Sequence, residues 1–291
     1  MTTPEKILII GATGNVGGVV ITNLVATGAN IRALVRDEAK AQSLKDTGVE
    51  VVTGDLDNPE TLDGAFSGVD KVFLLTAVGP NEATQAINAI GAAKRVDSPH
   101  IVRLSAGKPT SDASPEYTGH HSRVEEELKN SGLPYTIIKP NFLMQNTMLA
   151  AQTVISDDAV YLPFSDSKIG MVDVRDIGEA VVKVLTSDGH ENKIYRLTGP
   201  ASISMHDVAA DLSQALGKEV NYVAVPLEAA QEAMLSMGMP EWVAKAYTEY
   251  FKMYSAGWGD YTTHDIEQLT GHPARSYQTF VQDFAQVFSP Q

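Results

Sequence analysis

Residues 6–18, KILIIGATGNVGG, constrain this chain more than any other stretch. An apolar run, Ile7 to Ile10, meets glycines at positions 11, 14 and 17, and an apolar helical pattern from Val16 to Leu24 follows at once. The reading is strand, tight turn, helix. Glycines let the backbone turn sharply and approach a diphosphate, and the N–H groups at a helix N-terminus receive its negative charge. The spacing is Gly-x-x-Gly-x-x-Gly, not the commoner Gly-x-Gly-x-x-Gly. Gly11, Thr13, Gly14, Asn15, Val16 and Gly17 are the candidate diphosphate seat, and a purely structural glycine turn is the alternative.

Apolar runs and helical patterns then alternate as far as Pro140. Strands are expected at Asn30 to Val35, Val49 to Thr53, Asp70 to Thr76, His100 to Ser105 and Pro134 to Pro140. Helices are expected at Asp37 to Lys45, after Asn58-Pro59, at Glu82 to Lys94, and in a charged stretch ending near Ser131-Gly132. That βαβ rhythm predicts an α/β fold, a Rossmann-like doubly wound parallel sheet, with a smaller, mostly helical C-terminal lobe. The segment from Asn141 to Gly170 is less regular. A helix from Val174 to Leu185 and a strand from Lys193 to Thr198 read as a return to the main sheet. Residues 1–140 and 171–199 are therefore expected to form the dinucleotide-binding core, and 141–170 and 200–291 a substrate lobe. In that lobe Ser204 and Asp207 have capping-box spacing, with Gly217 as the helix stop.

A net charge of −14 argues against nucleic acid or an anionic membrane as partner, because either attracts a basic surface. No stretch approaches the ~18 uninterrupted apolar residues of a membrane span. The opening MTTPEKILII lacks a basic segment before a long apolar one, so no signal peptide is expected. With no cysteine, disulfide and thiol chemistry are excluded, which suits a reducing cytoplasm.

The end of the second strand selects between nicotinamide cofactors: a carboxylate there holds ribose hydroxyls, whereas a cation accommodates a 2′-phosphate. Here the strand holds no carboxylate and ends on Arg36, with Lys40 one helical turn onward, so NADP (NADPH) is favoured over NAD. Asp55 and Leu56, after the third strand, belong at the adenine edge, although Asp55 also suits a helix cap. Thr76 and Ala77 follow the fourth strand and border the nicotinamide half. Ser105 follows the fifth, as a donor to substrate or as a loop-satisfying hydroxyl. Tyr117 and His121 share a helical face if a helix starts with Ser114 as N-cap and Pro115 at its first position. They form a candidate proton-donor pair or a merely exposed one, and His120-His121 is a poor metal site. The Met-, Tyr- and Trp-rich stretch from Met234 to Tyr261 lines an apolar pocket or forms core or oligomer packing, a homodimer included.

These pieces carry a family resemblance. GATGNVGG (11–18), LVRD (34–37), GDLDNPETL (54–62), SGLPYTIIKPNFLMQN (131–146) and LTSDGHENKIYRLTG (185–199) resemble the NmrA-like branch of the atypical short-chain dehydrogenases/reductases, most of all its quinone- and triphenylmethane-reducing members. The resemblance implies a Rossmann core, NADP held by the glycine turn and Arg36, a substrate cleft beside a C-terminal lobe, and Asn141 and Phe142 approaching the nicotinamide. It implies catalysis of hydride transfer to a small-molecule electron acceptor. Two departures stand out: Tyr-x-x-x-Lys is Tyr117-x-x-x-His121 here, and Leu-Arg-Pro is Ile-Lys-Pro, with Lys139. Reduction of an electron-poor quinone or dye, with water as proton source, survives the first departure. A non-catalytic NAD(P)-binding redox sensor is the alternative of a different class, and an epimerase or ketone reductase using Tyr117 as acid is a third reading.

Overall fold

The computed structural model describes residues 5–96, 98–106 and 116–290, without the side chains of Lys40, Glu116, Tyr117 and Thr118. In chain order the strands are β1 (Lys6–Ile10), β2 (Asn30–Val35), β3 (Glu50–Thr53), β4 (Lys71–Leu74), β5 (His100–Leu104), β6 (Tyr135–Pro140), β7 (Ala159–Leu162), β8 (Lys193–Leu197) and β9 (Asn221–Ala224). Seven of them form one sheet in the order β3-β2-β1-β4-β5-β6-β8. From β3 to β6 every pairing is parallel. The chain runs outward from β1 to β3 and then crosses back to β4, so the strand order reverses between β1 and β4. At such a switch point a crevice opens beyond the carboxyl ends of the strands. The strands are apolar without alternation because both faces are covered: four of five residues of β1 and all four of β4 are buried.

The helices are α1 (Asn15–Thr27), α2 (Gln42–Lys45), α3 (Asp63–Phe66), α4 (Glu82–Arg95), α5 (Glu116–Asn130), α6 (Ala151–Ser156), α7 (Val174–Thr186), α8 (Met205–Leu216), α9 (Leu227–Ser236), α10 (Glu241–Ser255), α11 (Asp265–Thr270) and α12 (Tyr277–Asp283). Helix α1 stops at Gly28, whose φ of +75° lets its N–H reach back to the Leu24 and Val25 carbonyls. Gly178 lets α7 approach α1, since a Cβ there would lie 2.4 Å from Val19 Cγ1. The Ser204/Asp207 capping box forms as its spacing predicts.

Three local expectations differ. Asp37 to Lys45 is not one helix: the Asp37 carboxylate accepts from the Ala39 amide and starts a 3-10 turn, and α2 follows separately. Asn58 does not cap a helix through its side chain. Thr61 Oγ1 lies instead against the Asn58 carbonyl and the Asp55 amide, and residues 59–61 form a 3-10 turn. The segment from Asn141 to Gly170 is more regular than expected, holding a 3-10 turn, α6 and β7. Strand β7 pairs in parallel with β9, about sixty residues further on. The proposed start of α5 at Ser114 and Pro115 lies outside the described residues.

The chain divides into two compact units. One comprises the residues up to Ser114, Thr118–Lys139 and Ile177–Tyr195, and the other Pro115–Tyr117, Pro140–Asp176 and the residues from Arg196 on. The first holds the core between the sheet and α3, α4 and α5, including Leu8, Phe66, Ile90, Val124 and Ile137. The second packs its own core from Phe142, Phe164, Val208, Phe251, Tyr254 and Phe280.

At the amino-terminal edge of the main sheet lies a buried polar chain. Thr136 Oγ1 donates to the His190 carbonyl (2.6 Å), so it accepts from His100 Nε2–H (2.9 Å). The His190 ring bonds Ser187 Oγ and Tyr195 OH. Burial holds both histidines below the ordinary imidazole range, with Lys71 contributing at His100 and Lys193 at His190. Each is therefore neutral in the fold and takes up a proton more readily when unfolded. Their stabilising contribution is complete above pH ~6.5 and falls as the pH drops below it, by at most ~1.4 kcal/mol per pH unit for each. Urea denaturation from pH 7 to pH 5 is expected to show a flatter stability profile for a His100→Gln/His190→Gln variant than for the unsubstituted protein.

Candidate functional site

The glycine turn has a steric logic of its own. Gly11 sits at φ +83°, and a Cβ there would lie 2.6 Å from the Leu75 carbonyl oxygen. A Cβ at Gly17 would lie 2.0 Å from the Gly11 carbonyl oxygen. These two positions accept glycine alone, whereas Gly14 has ordinary clearance, 3.4 Å to the same oxygen. Gly14 is the N-cap of α1. It has no side chain to bond the first-turn amides, and the first turn carries no acid. The turn thus presents a positive helix end that a bound anion would complete.

A cleft of about 510 Å³ opens above the ends of β1 to β4. Seven residues singled out from the sequence line it: Gly11, Thr13, Arg36, Asp55, Leu56, Thr76 and Ala77. Gly14, Asn15, Val16 and Gly17 form the adjoining start of α1. Arg36 is exposed and, among the described residues, is the only basic one lining the cleft and has no hydrogen-bond or ion-pair partner. Its neighbour Asp37 accepts from the Ala39 amide and forms no ion pair with the guanidinium.

Asp55 caps no helix. Its carboxylate accepts from the Asp57 amide (3.1 Å) in a tight turn. Three amide side chains of α4 and the residue before it fix that loop: Gln85 and Asn81 bond the Asp57 carboxylate, and Asn88 donates to the Leu56 carbonyl (2.7 Å). Gln85 also lines the cleft. The sequence reading missed these residues, because an amide on a helix face carries no signal of the loop it will meet.

At the ends of β4, β5 and β6 lie two buried ion pairs. Arg103 donates to Glu82 Oε1 (2.9 Å), Thr76 Oγ1 (3.0 Å) and the Leu74 carbonyl (3.3 Å). Lys139 Nζ lies 2.7 Å from Glu125 Oε1, which also accepts from Ser105 Oγ at 2.5 Å. All four charged side chains are at most 5% exposed. Burial pushes the Glu82 carboxyl above its ordinary range, and Arg103 opposes that shift. His121 Nδ1 stands 3.6 Å from Glu82 Oε1. Burial, then Arg103, Lys139 and His120, hold His121 well below the ordinary imidazole range, so it is neutral at pH 7. Tyr117 and His121 do share α5, but the Tyr117 side chain lies outside the described residues. Lys139 stood out as a departure from a pattern; Arg103, Glu82 and Glu125 were missed. The available signal was a lone arginine inside the apolar run of β5.

A profile of the NmrA-like family matches residues 3–282. The chain belongs to the NmrA-like family. It is 38% identical over 283 residues to an NAD(P)H azoreductase of Xenophilus azovorans, covering 97% of this chain and 99% of that one. It is 32% identical over 286 residues to a (4-alkanoyl-5-oxo-2,5-dihydrofuran-3-yl)methyl phosphate reductase of Streptomyces griseus, covering 98% and 100%. Among solved structures, an NADPH-dependent quinone oxidoreductase of Escherichia coli complexed with NADPH matches with a TM-score of 0.87 at 30% identity, over 96% of this chain and 99% of that one. This NmrA-like chain is an oxidoreductase by class. Among its described residues no helix is long and apolar enough to cross a membrane, and no group of three or more His, Cys, Asp or Glu side chains could hold a metal ion.

The second unit of the NmrA-like chain contains Asn141 and Phe142. The Asn141 amide donates to the Gly259 carbonyl (3.0 Å) and accepts from the Phe142 amide (2.8 Å). Phe142 is buried, edge-on to Phe164 and Tyr254 at 5.4 and 5.2 Å. The helical stripe of α10 is core: Phe251 and Tyr254 are buried, and Tyr247, Tyr250 and Trp258 pack against them. Met237, in contrast, is 59% exposed. Two carboxylates before and within the first turn of α7, Asp173 and Asp176, are fully buried and held by Arg175 and Arg275.

Proposed function

We propose that this NmrA-like protein is a cytoplasmic, NADPH-dependent reductase that delivers hydride to a quinone-like or other conjugated electrophilic small molecule. The observation that carries this reading is Arg36, a cation without a partner among the described residues, facing the same cleft as a glycine cradle that admits no side chain. The cleft fits the cofactor on chemical grounds. The open amides of Asn15, Val16 and Gly17 suit a diphosphate, Arg36 a 2′-phosphate, Asp55 and Leu56 the adenosine side, and Thr76 and Ala77 the nicotinamide half. When bound, NADPH supplies the hydride, and the protein supplies binding, orientation and exclusion of water.

His121 is neutral and therefore cannot lower the proton affinity of Tyr117 by charge. An acceptor that needs no strong acid, such as a quinone or azo compound, suits that arrangement better than a ketone. The azoreductase and the quinone oxidoreductase that the chain resembles are named for acceptors of this kind. The second unit, with Asn141 and Phe142, serves as the substrate lobe in this reading.

The test is to follow NADPH oxidation with a panel of quinones, azo dyes and triarylmethane dyes. Turnover with at least one class is expected, and tight NADPH binding without turnover of any acceptor would replace the enzyme by a redox sensor. The cofactor preference has a separate test. Arg36→Ala is expected to weaken NADPH roughly 10- to 100-fold, the range of a charge-assisted hydrogen bond, with NADH changed less than about threefold. Equal losses for the two cofactors would remove the 2′-phosphate assignment.

A further inference from the structure

Strands β4 and β5 end on the same device. Their last paired residues are Leu74 and Arg103, and two residues beyond each stand Thr76 and Ser105. Thr76 Oγ1 donates to Glu82 Oε1 (3.3 Å), and Ser105 Oγ donates to Glu125 Oε1 (2.5 Å). A buried cation holds each carboxylate: Arg103 at 2.9 Å from Glu82, Lys139 at 2.7 Å from Glu125. Thr76 and Ser105 are 6% and 5% exposed, and Thr76 lines the cleft.

A hydroxyl has one proton and two lone pairs, and an ionised carboxylate can only accept. Both hydroxyl protons are therefore committed inward. Thr76 Oγ1 uses one lone pair on Arg103 and keeps one, and no described residue donates to Ser105 Oγ. Thr76 Oγ1 therefore presents a lone pair towards the cleft, and Ser105 Oγ, on the neighbouring strand end, keeps its lone pairs while its proton is committed. Of the two sequence readings of Ser105, donor to substrate or loop-satisfying hydroxyl, neither names the partner its proton takes here, the Glu125 carboxylate.

We propose that Thr76 and Ser105 form an acceptor edge that recognises an N–H donor, the carboxamide NH₂ of the nicotinamide ring, and that the Glu82–Arg103 and Glu125–Lys139 pairs are the positioning residues that set this polarity. The inference rests on the NADPH reading above and deepens it. It also assigns proton delivery during reduction to groups other than Ser105. Each ion pair is buried, so Ser105 cannot turn its proton outward without breaking a short charge-assisted bond, and Thr76 cannot without breaking its longer bond to Glu82.

The test compares binding of NADP with that of its acetylpyridine analogue, in which a methyl ketone replaces the carboxamide and can accept but not donate. Binding is read by titration of intrinsic fluorescence and by thermal shift, without turnover. The unsubstituted protein is expected to bind the analogue about five- to tenfold more weakly, the value of one or two neutral hydrogen bonds. Ser105→Ala and Thr76→Val are expected to bring the difference below about twofold by weakening NADP alone. Glu125→Gln can keep its oxygen on Lys139 and donate N–H to Ser105, which frees the serine proton. It is expected to narrow the discrimination with the fold intact, an effect that a merely structural glutamate would not give. Equal binding of the two dinucleotides by the unsubstituted protein, or discrimination that survives in both hydroxyl variants, overturns the proposal. Failure to bind either dinucleotide overturns the NADPH reading itself, a separate and recognisable outcome.

Discussion

Gly17→Ala is expected to weaken NADPH binding by at least roughly 100-fold, ~2.7 kcal/mol. The added methyl would lie 2.0 Å from the Gly11 carbonyl oxygen, 2.7 Å from its carbonyl carbon and 3.1 Å from Ala12 Cα. All three are backbone atoms, so no rotamer relieves the contact; α1 must move away from the end of β1. That displacement carries off the N-terminal amides on which a diphosphate would rest. Gly18→Ala is the matched control, since nothing lies within 4 Å of its Cβ position. It is expected to leave binding unchanged and to stabilise α1 by up to ~1 kcal/mol, the propensity difference between the residues. NADPH titration with circular dichroism on both variants separates a lost site from a lost fold. Binding by Gly17→Ala within tenfold of the unsubstituted protein would sink the steric account of the turn.

The second large effect is expected from Arg103→Met, a loss of ~3–5 kcal/mol of folding stability. Arg103 and Glu82 are 1% and 2% exposed, and Glu82 Oε2 already has no hydrogen-bond partner among the described residues. Removal of the guanidinium leaves a buried carboxylate uncompensated and frees Thr76 on the cleft wall. With Arg103 gone, the Glu82 pKa rises further above its unfolded value. The folded state then binds the extra proton, so the variant loses stability as the pH rises from about 4.5 towards neutrality. An Arg103→Met/Glu82→Leu variant is expected to recover much of the loss, because two apolar side chains need no mutual charge. Urea denaturation at pH 5 and pH 7 on the single and double variants checks both points. A single substitution costing under ~1 kcal/mol would show the pair to be inert.

Much of the site was legible because its signals are local. The turn glycines, the arginine ending β2 and the acid after β3 each sit at a strand end, and one sheet edge brings strand ends together whatever the intervening helices do. The same locality explains the local misreadings. Asp37 and Asn58 both look like helix caps, yet the first starts only a 3-10 turn and the second is displaced by Thr61, whose hydroxyl reaches the same backbone. The amides of Gln85 and Asn88 and the charges of Glu82, Arg103 and Glu125 carried no sequence signal of a role at the site, since their partners lie 20 to 32 residues away.

The sequence by itself determined the parallel sheet, the glycine turn that opens α1 and the arginine that ends β2, because periodicity, steric permission at glycine and residue type at a strand end act over a few neighbouring positions. The tertiary structure alone decided the polarity of the strand-end hydroxyls and the protonation of His121. Both depend on which charges are buried beside them, and burial is a property of the packed chain.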